Sequence, residues 1–464
     1  MQLLIESIKM KIVIIGGGSV LWTPRLGCDF LFEKSLDGSQ LVLHDIDKEA
    51  ANLCAEYLRR ANKQLKTHWT IKVAGLDAAL KNADLVLVSI STGSFEAMHH
   101  DYTIPEKYGV YHTVGDTTGP GGISRSLRNI PVFIDIAKKM SRLCPDAFML
   151  HVTNPLTQLT RAVEKSGLIR CVGMCHEYTG AINGLRKFFG VNENEIDSLC
   201  VGVNHFTVLK DLTVKGIKHP EKMLTINNYI EFEKNHHAKD VSGTVDDIVS
   251  QASAKPGHIL PWYLNYALAE QWGFFPLAGC AHVCESLPGF NVSNEMLAKW
   301  SIYRKGVLPN RPQAKEERRK KLIDALKDNI TLPETEGRSK EMVSDAAVAL
   351  LTGEPRRIIA ACANRGQIDD LPRDVTVETW AMASKCGIHP IASGKVPPSV
   401  KGFMEQIISE QELTVEAALT GNFDTFVQAL IASPLVVDKS CAPAMAKELL
   451  EANRQYLSQF KDIK

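Results

Sequence analysis

The stretch that most restricts what this chain can fold into runs from Lys11 to about Lys63. Lys11 to Ile15 is a short β-branched run ending at Gly16, Gly17 and Gly18, the pattern of a buried strand entering a tight turn. Ser19 to about Phe32 follows with a helical pattern, and a second apolar run, Leu41 to Leu43, ends at His44, Asp45, Ile46 and Asp47. Asp47 can cap a further helix reaching about Lys63. Strand, glycine turn, helix and a strand ending in an acid is a unit suited to a dinucleotide. Gly16 and Gly18 lack the Cβ atoms that would hold backbone away from a pyrophosphate, and the helix N-terminus after Ser19 favours its charge. Asp45, with Asp47 as the alternative, would accept hydrogen bonds from the adenosine ribose. An acid there favours NAD over NADP, whose 2′-phosphate it would repel. The third glycine of the usual fingerprint is replaced by Leu21, so the turn could instead only pack strand against helix, with Asp45 a solvated acid.

The alternation continues. Trp69 to Ala74, Ala83 to Ile90 and Ala147 to Val152 read as strands, the last after a helix near Ile130 to Leu143. Strands alternating with helices predict an α/β fold, a Rossmann-like doubly wound parallel sheet over residues 1–200. Beyond residue 200 the alternation weakens and helical patterns dominate at Pro312 to Lys327, Glu405 to Thr420 and Ala442 to Phe460. Residues 201–464 therefore read as a mixed α/β catalytic domain for substrate, metal and oligomerisation, arranged as in lactate and malate dehydrogenases. With 53 basic and 53 acidic residues the chain has no global field to favour nucleic acid or an anionic membrane. No stretch reaches the roughly 20 apolar residues of a bilayer span. The N-terminus carries no leader pattern, so the expected location is cytoplasmic. Its 11 cysteines are scattered without a C-x-x-C pair, as buried thiols in a reducing compartment would be.

Four polar segments fall where this fold puts strand ends or the loops after them: Gly115 to Gly122, Thr153-Asn154-Pro155, Cys175-His176-Glu177 and Asn204-His205. In an open α/β sheet such segments can converge on one crevice. Cys175 and His205 offer a thiolate and an imidazole, which could hold a divalent metal and leave positions open for substrate oxygens. The plain alternative is a core thiol and a hydrogen-bonded histidine.

Taken together, these segments resemble glycoside hydrolase family 4 nearly end to end. Lys11 to Trp22 is similar to its nucleotide loop, and Gly109 to Pro131 to its G-Q-E-T-x-G-P-G-G stretch. Thr153 to Pro155, Cys175 to Glu177 and Gly202 to Phe206 are similar to its substrate and metal segments. Asn364 to Ile368, Leu371-Pro372, Gly387 to Pro390 and Glu416 to Gly421 continue the likeness. The resemblance implies bound NAD and a divalent ion, usually manganese, with Cys175 and His205 as protein ligands and a homodimer or homotetramer. It also implies that Asn154 lies between substrate and nicotinamide, with Asn204 and Glu177 on the substrate side. His176 stands beside the metal cysteine, where some relatives have an acid, and could donate a proton or orient the site. A base tyrosine is expected before Gly273-Phe274-Phe275-Pro276, where Tyr263 and Tyr266 lie; ordinary aromatic packing is the alternative for each.

Two stretches depart from the family. Ala97 to Asp101 stands where relatives often have an arginine before the Ile104-Pro105 element, and Ala278-Gly279-Cys280-Ala281-His282 replaces a charged G-D-R-H type sequence. The Cys-His-Glu triplet resembles members acting on α-linked hexuronides, though Glu177 would repel a uronate unless Arg125 or Arg128 intervenes. The implied reaction takes hydride from C3 to NAD, removes the acidified C2 proton with metal assistance, eliminates at C1, adds water and returns the hydride. The competing function is a NAD-dependent sugar or hydroxy-acid dehydrogenase, which would release NADH. A non-catalytic NAD-sensing module would bind cofactor without metal dependence, and the Cys175/His205 pair argues against it.

Overall fold

The computed structural model describes residues 9–236, 244–255, 260–304, 311–328 and 330–460. Strands β1 (Lys11–Ile15), β2 (Gln40–His44), β3 (Thr70–Val73), β4 (Leu85–Val88), β5 (Phe148–His151) and β6 (Arg170–Gly173) pair in parallel in the order β3-β2-β1-β4-β5-β6. The order reverses between β1 and β4, which opens a crevice beyond the carboxyl ends of the strands.

Period-two burial explains why helices cover both faces. Val13, Ile15, Val86, Val88 and Met149 join one core, whereas Ile12, Ile14, Leu85, Leu87 and Leu150 join another across the sheet. The second core takes α1 (Trp22–Leu31) and α2 (Lys48–Leu65), whose buried Ala51, Cys54, Ala55 and Leu58 recur at helical spacing. The first takes α3 (Leu76–Leu80), α4 (Phe95–Glu106), α5 (Gly119–Leu143) and α6 (Leu156–Ser166). Helix α7 (Glu177–Phe189) leaves the end of β6.

The second half joins the same sheet. After the antiparallel sheet of β7 (Ile196–Val203), β8 (Phe206–Val214) and β9 (Ile217–Lys218), strands β10 (Arg356–Ala363), β11 (Thr376–Ser384) and β12 (Gly387–Pro390) extend the parallel sheet to nine strands. β10 runs antiparallel to β6 through Ala361 and Gly173, and β11 and β12 follow antiparallel. Nothing local in residues 356–390 reveals this partner, because strand pairing is a tertiary choice.

Three helices differ markedly from the expectation at one end, one of them running Pro398–Thr420 where Glu405 to Thr420 was expected. Helix α5 was expected near Ile130 to Leu143 but begins at Gly119, so part of the polar loop is its first turn. Pro120 is tolerated there because first-turn amides have no intrahelical partner. A Cβ on Gly122 would lie 2.4 Å from the Thr117 carbonyl carbon, so glycine lets the loop fold back on the helix. The last helix runs Ala442–Ala452 rather than to Phe460, followed by a turn at Arg454–Tyr456. Asn453 Nδ2 bonds the Leu449 carbonyl (3.1 Å), one of the side-chain-to-backbone bonds that end helices. No described helix is long and apolar enough to cross a membrane, and all 11 cysteines are free.

Candidate active site

At the crest of β1 the turn is shaped by close backbone packing. Gly16 sits at φ +89°, and a Cβ there would meet the Ser89 carbonyl oxygen at 1.9 Å. The Gly18 amide donates to Asp45 Oδ2 (2.8 Å), and Asp45 Oδ1 accepts from the Asp47 amide (2.9 Å). Asp47 caps α2 through the Ala50 amide (3.0 Å), so its carboxylate already has one task. Ser19 Oγ accepts from Trp22 N (3.2 Å), while Leu21 at the N-cap of α1 offers no side-chain acceptor. The glycine backbone and helix N-terminus at the end of β1, with the acid after β2, form a cradle that fits a dinucleotide.

The loop between α4 and α5 is held from beneath by Glu285. This buried carboxylate accepts from His112 Nδ1 (3.0 Å) and from the amides of Thr113 (2.7 Å), Val114 (2.9 Å) and Gly115 (2.9 Å). Burial opposes its charge, but His112 and these amides hold its pKa below the usual range. The Gly121 amide donates to His112 Nε2 (2.9 Å), so the His112 proton resides on Nδ1. Asp116 is thereby fixed at the crevice, where Asn154 Nδ2 bonds its Oδ2 (3.2 Å). Arg125 Nε and Asn129 Nδ2 both donate to the Asn154 carbonyl (3.2 Å each).

Cys175 follows β6, Glu177 opens α7, and His205 occupies the two-residue turn between β7 and β8 at φ +64°. Their ligand atoms all lie within 4.8 Å of one another, and those of Asp116, His205 and His282 do the same. The hydrogen bonds assign the His205 tautomer. The Thr117 hydroxyl spends its one proton on Asp116 Oδ1 (2.9 Å), so it accepts from His205 Nδ1 (2.6 Å). The lone pair is left on Nε2, which faces Glu177. Burial, then the adjacent His282, holds the His205 pKa far below the usual value, so the ring is neutral and able to ligate.

Burial, then Glu177 and Glu378, pushes the Cys175 thiol well above its normal range. Beneath it Asn204 Nδ2 donates to Glu378 Oε2 (3.0 Å), and burial raises the Glu378 carboxyl to about 7. Burial also opposes ionisation of Asp116, but His282, Arg125 and the bond from the Thr117 hydroxyl outweigh it and hold its pKa well below the usual carboxylate range. Sulfur, imidazole and carboxylate donors in one buried cluster of excess negative charge fit a divalent transition ion, whose charge would reverse the penalty on the thiolate.

All four polar segments thus meet, while the proposed proton-transfer residues are more scattered. His176 is exposed and its ring lies against Trp22 (centroids 5.9 Å). Tyr266 is buried, stacked on Tyr229 (4.2 Å) and packed on Phe188 and Phe275. Tyr263 is half-buried beside Trp300. Arg128 is locked in a buried pair with Asp101 (2.6 Å), which leaves Arg125 as the half-buried cation of the two. Sequence reasoning did not single out Glu378, Glu285, His112 or His282 as site residues. His282 at least lies in a stretch already marked as unusual; the others have no local signal.

The family model described as "Family 4 glycosyl hydrolase" matches residues 11–191, and that described as "Family 4 glycosyl hydrolase C-terminal domain" matches residues 200–436. The chain belongs to the family 4 glycosyl hydrolases. An alpha-galacturonidase of Thermoanaerobacterium saccharolyticum is 31% identical to this family 4 glycosyl hydrolase over 97% of each chain. Among solved structures, the putative glucosidase lplD of Bacillus subtilis is 28% identical with a TM-score of 0.81, covering 95% of this chain and 100% of its own. The 6-phospho-beta glucosidase of Thermotoga maritima, solved with manganese, NAD+ and glucose-6-phosphate, shares the fold. It has a TM-score of 0.74 at 21% identity and covers 96% of this chain and 99% of its own.

Proposed function

We propose that this glycosyl hydrolase cleaves an α-linked hexuronide with NAD and a divalent ion, manganese foremost, as cofactors. The observation that carries the reading is the Cys175–Glu177–His205 cluster beside the Asp116–Asn154 contact, in a chain that also carries a dinucleotide cradle. When bound, NAD supplies reversible hydride transfer at a sugar carbon and the ion supplies Lewis acidity. Gly16, Gly17, Gly18 and Ser19 hold the pyrophosphate and Asp45 the adenosine ribose. Cys175 and His205 hold the ion. Asn154, tied to Asp116 and carrying Arg125 on its carbonyl, orients the sugar together with Asn204 and Glu177.

Exposed His176 is the proton donor to the leaving group in this reading. Of the two tyrosines, half-buried Tyr263 is the better base, because Tyr266 is enclosed by aromatic rings. Burial raises the Tyr263 pKa, so its phenolate needs a neighbouring positive charge to form. The uronide preference is supported by the name of the alpha-galacturonidase relative and by Arg125, a cation not consumed by a carboxylate pair.

The test is a panel of aryl glycosides, covering uronides, neutral hexosides and 6-phosphates in both anomers, assayed with NAD, manganese and reductant. An α-galacturonide should turn over best, with solvent deuterium entering C2, a C3 label retained and no NADH accumulating. Preference for a 6-phosphate would overturn the substrate. Sugar release without C2 exchange would overturn the elimination route, and accumulating NADH would indicate a dehydrogenase.

A further inference from the structure

The two imidazoles of the site are near-duplicates in placement. The rings of His205 and His282 lie side by side, with centroids 4.0 Å apart and planes at 54°. Their Nδ1 atoms stand 3.8 Å and 4.0 Å from the same oxygen, Asp116 Oδ1. Their Nε2 atoms stand 3.6 Å and 3.7 Å from the same oxygen of Glu177, Oε1. These spacings are too long for hydrogen bonds. The two Nε2 spacings match neighbouring donors around a shared divalent ion, which at bond lengths of about 2.0–2.3 Å are separated by roughly 3–4.5 Å.

We propose that His282 supplies a second imidazole to the divalent ion, through Nε2, so that the chain offers the set Cys175, His205 and His282 with Glu177 alongside. The proposal rests on reading Cys175 and His205 as the metal pair and adds a ligand to it. The ion belongs on the Nε2 side because the Thr117 hydroxyl already takes His205 Nδ1. Asp116 lies on the Nδ1 side of both rings and reaches His205 through the Thr117 hydroxyl, which accepts from His205 Nδ1 and donates to Asp116 Oδ1.

The backbone carrying His282 is set in advance. His282 lies in the short helix Cys280–Val283, entered through Pro276 and Ala278, whose carbonyls Asn265 Nδ2 holds at 2.8 Å and 2.7 Å. The Ala281 carbonyl accepts from the Thr113 hydroxyl. Thr113 is also among the residues fastened to Glu285, so the loop bearing Asp116 and the helix bearing His282 share one support. The His282 side chain is 24% exposed, which leaves it accessible from the crevice while its backbone stays fixed.

Metal-stripped full-length protein and the variants His282→Ala, His282→Gln and Cys175→Ser are titrated with Mn2+ by calorimetry and with Co2+ by visible absorption. His282→Ala is expected to weaken both ions roughly 10–100-fold. It should also alter the cobalt d–d bands while the thiolate-to-cobalt charge-transfer band persists. Circular dichroism checks folding, and His282→Gln, which keeps most of the volume, carries the test if the alanine variant does not fold. Parent-like affinity with unchanged d–d bands in a folded His282 variant would overturn the proposal and leave the metal pair intact. Parent-like affinity and charge transfer in Cys175→Ser would overturn the metal pair itself, and this proposal with it.

Discussion

At the residue scale, Cys175 is the proposed metal ligand whose ionisation both burial and neighbouring carboxylates oppose. With Glu177 and Glu378 near it, its thiol resists ionisation, and a cation there would offset both carboxylates and favour the thiolate. Cys175→Ser should therefore weaken Mn2+ by at least about 100-fold by calorimetry, more than the usual cost of losing an outer-shell partner, and abolish glycosidase activity in an otherwise folded protein. Unchanged affinity would remove Cys175 from the ligand set. Asp45 is the corresponding test of the nucleotide cradle. It braces the Gly18 and Asp47 amides, and the proposed reading gives it the ribose as well. Asp45→Ala should weaken NAD roughly 10–100-fold in a fluorescence titration, the scale of one or two charge-assisted hydrogen bonds. Parent-like binding would mean that the ribose is held elsewhere.

Helix α5 gathers the buried polar contacts beneath the site at the scale of a single element. Its first turn is glycine-rich, and two buried side chains satisfy its amides: Glu410 takes Gly119 N (2.9 Å) and His112 takes Gly121 N. Two turns further on, Arg128 pairs with Asp101, both almost fully buried, which ties α5 to α4. Burial raises the Glu410 carboxyl to about 7 against the bonds it receives. The folded protein therefore binds a proton there that the unfolded chain releases near 4.5, so stability falls as pH rises from about 4.5 to 7 and then levels off. Glu410→Gln keeps an acceptor for Gly119 and removes this titration. Its melting temperature should fall less than the parent's between pH 5 and 7.5 in matched scans, and identical profiles would mean that Glu410 does not titrate in that window.

The site is a property of the whole molecule, because its parts lie on different layers. Cys175 and Glu177 stand at the end of the parallel sheet, whereas His205 belongs to the hairpin of the second sheet. An ion held by Cys175 and His205 would tie the layers together and act on the folded state alone. At a concentration about 100-fold above its Kd, such a ligand adds about 2.7 kcal/mol. Mn2+ should then raise the melting temperature by a few degrees, on the order of 3 °C, and His205→Ala should erase the rise. A rise that survives His205→Ala would put the stabilising ion elsewhere.

The elements that set the scaffold were legible because each rests on local physics. Lys11 to Ile15 followed by three glycines, with an acid closing the next strand, is readable from steric rules and period-two burial, and the strand–helix alternation implied a parallel sheet with right-handed crossovers, though not the order of its strands. Cys175, His205 and Asn154 could be marked as chemically capable, and the structure brings their segments together. Whether a side chain faces the crevice or the core was not legible. Tyr266 and Arg128 are as suitable by type as any residue named, yet one is packed among rings and the other is paired with Asp101. Glu378 reaches the site from a segment with no motif to mark it, and His282 from a stretch that stood out only by departing from the family pattern. A strand's pairing partner, the burial of a carboxyl and the meeting of two imidazoles all depend on contacts between residues far apart in the chain. Local propensity does not encode those contacts, and only the packed structure decides them.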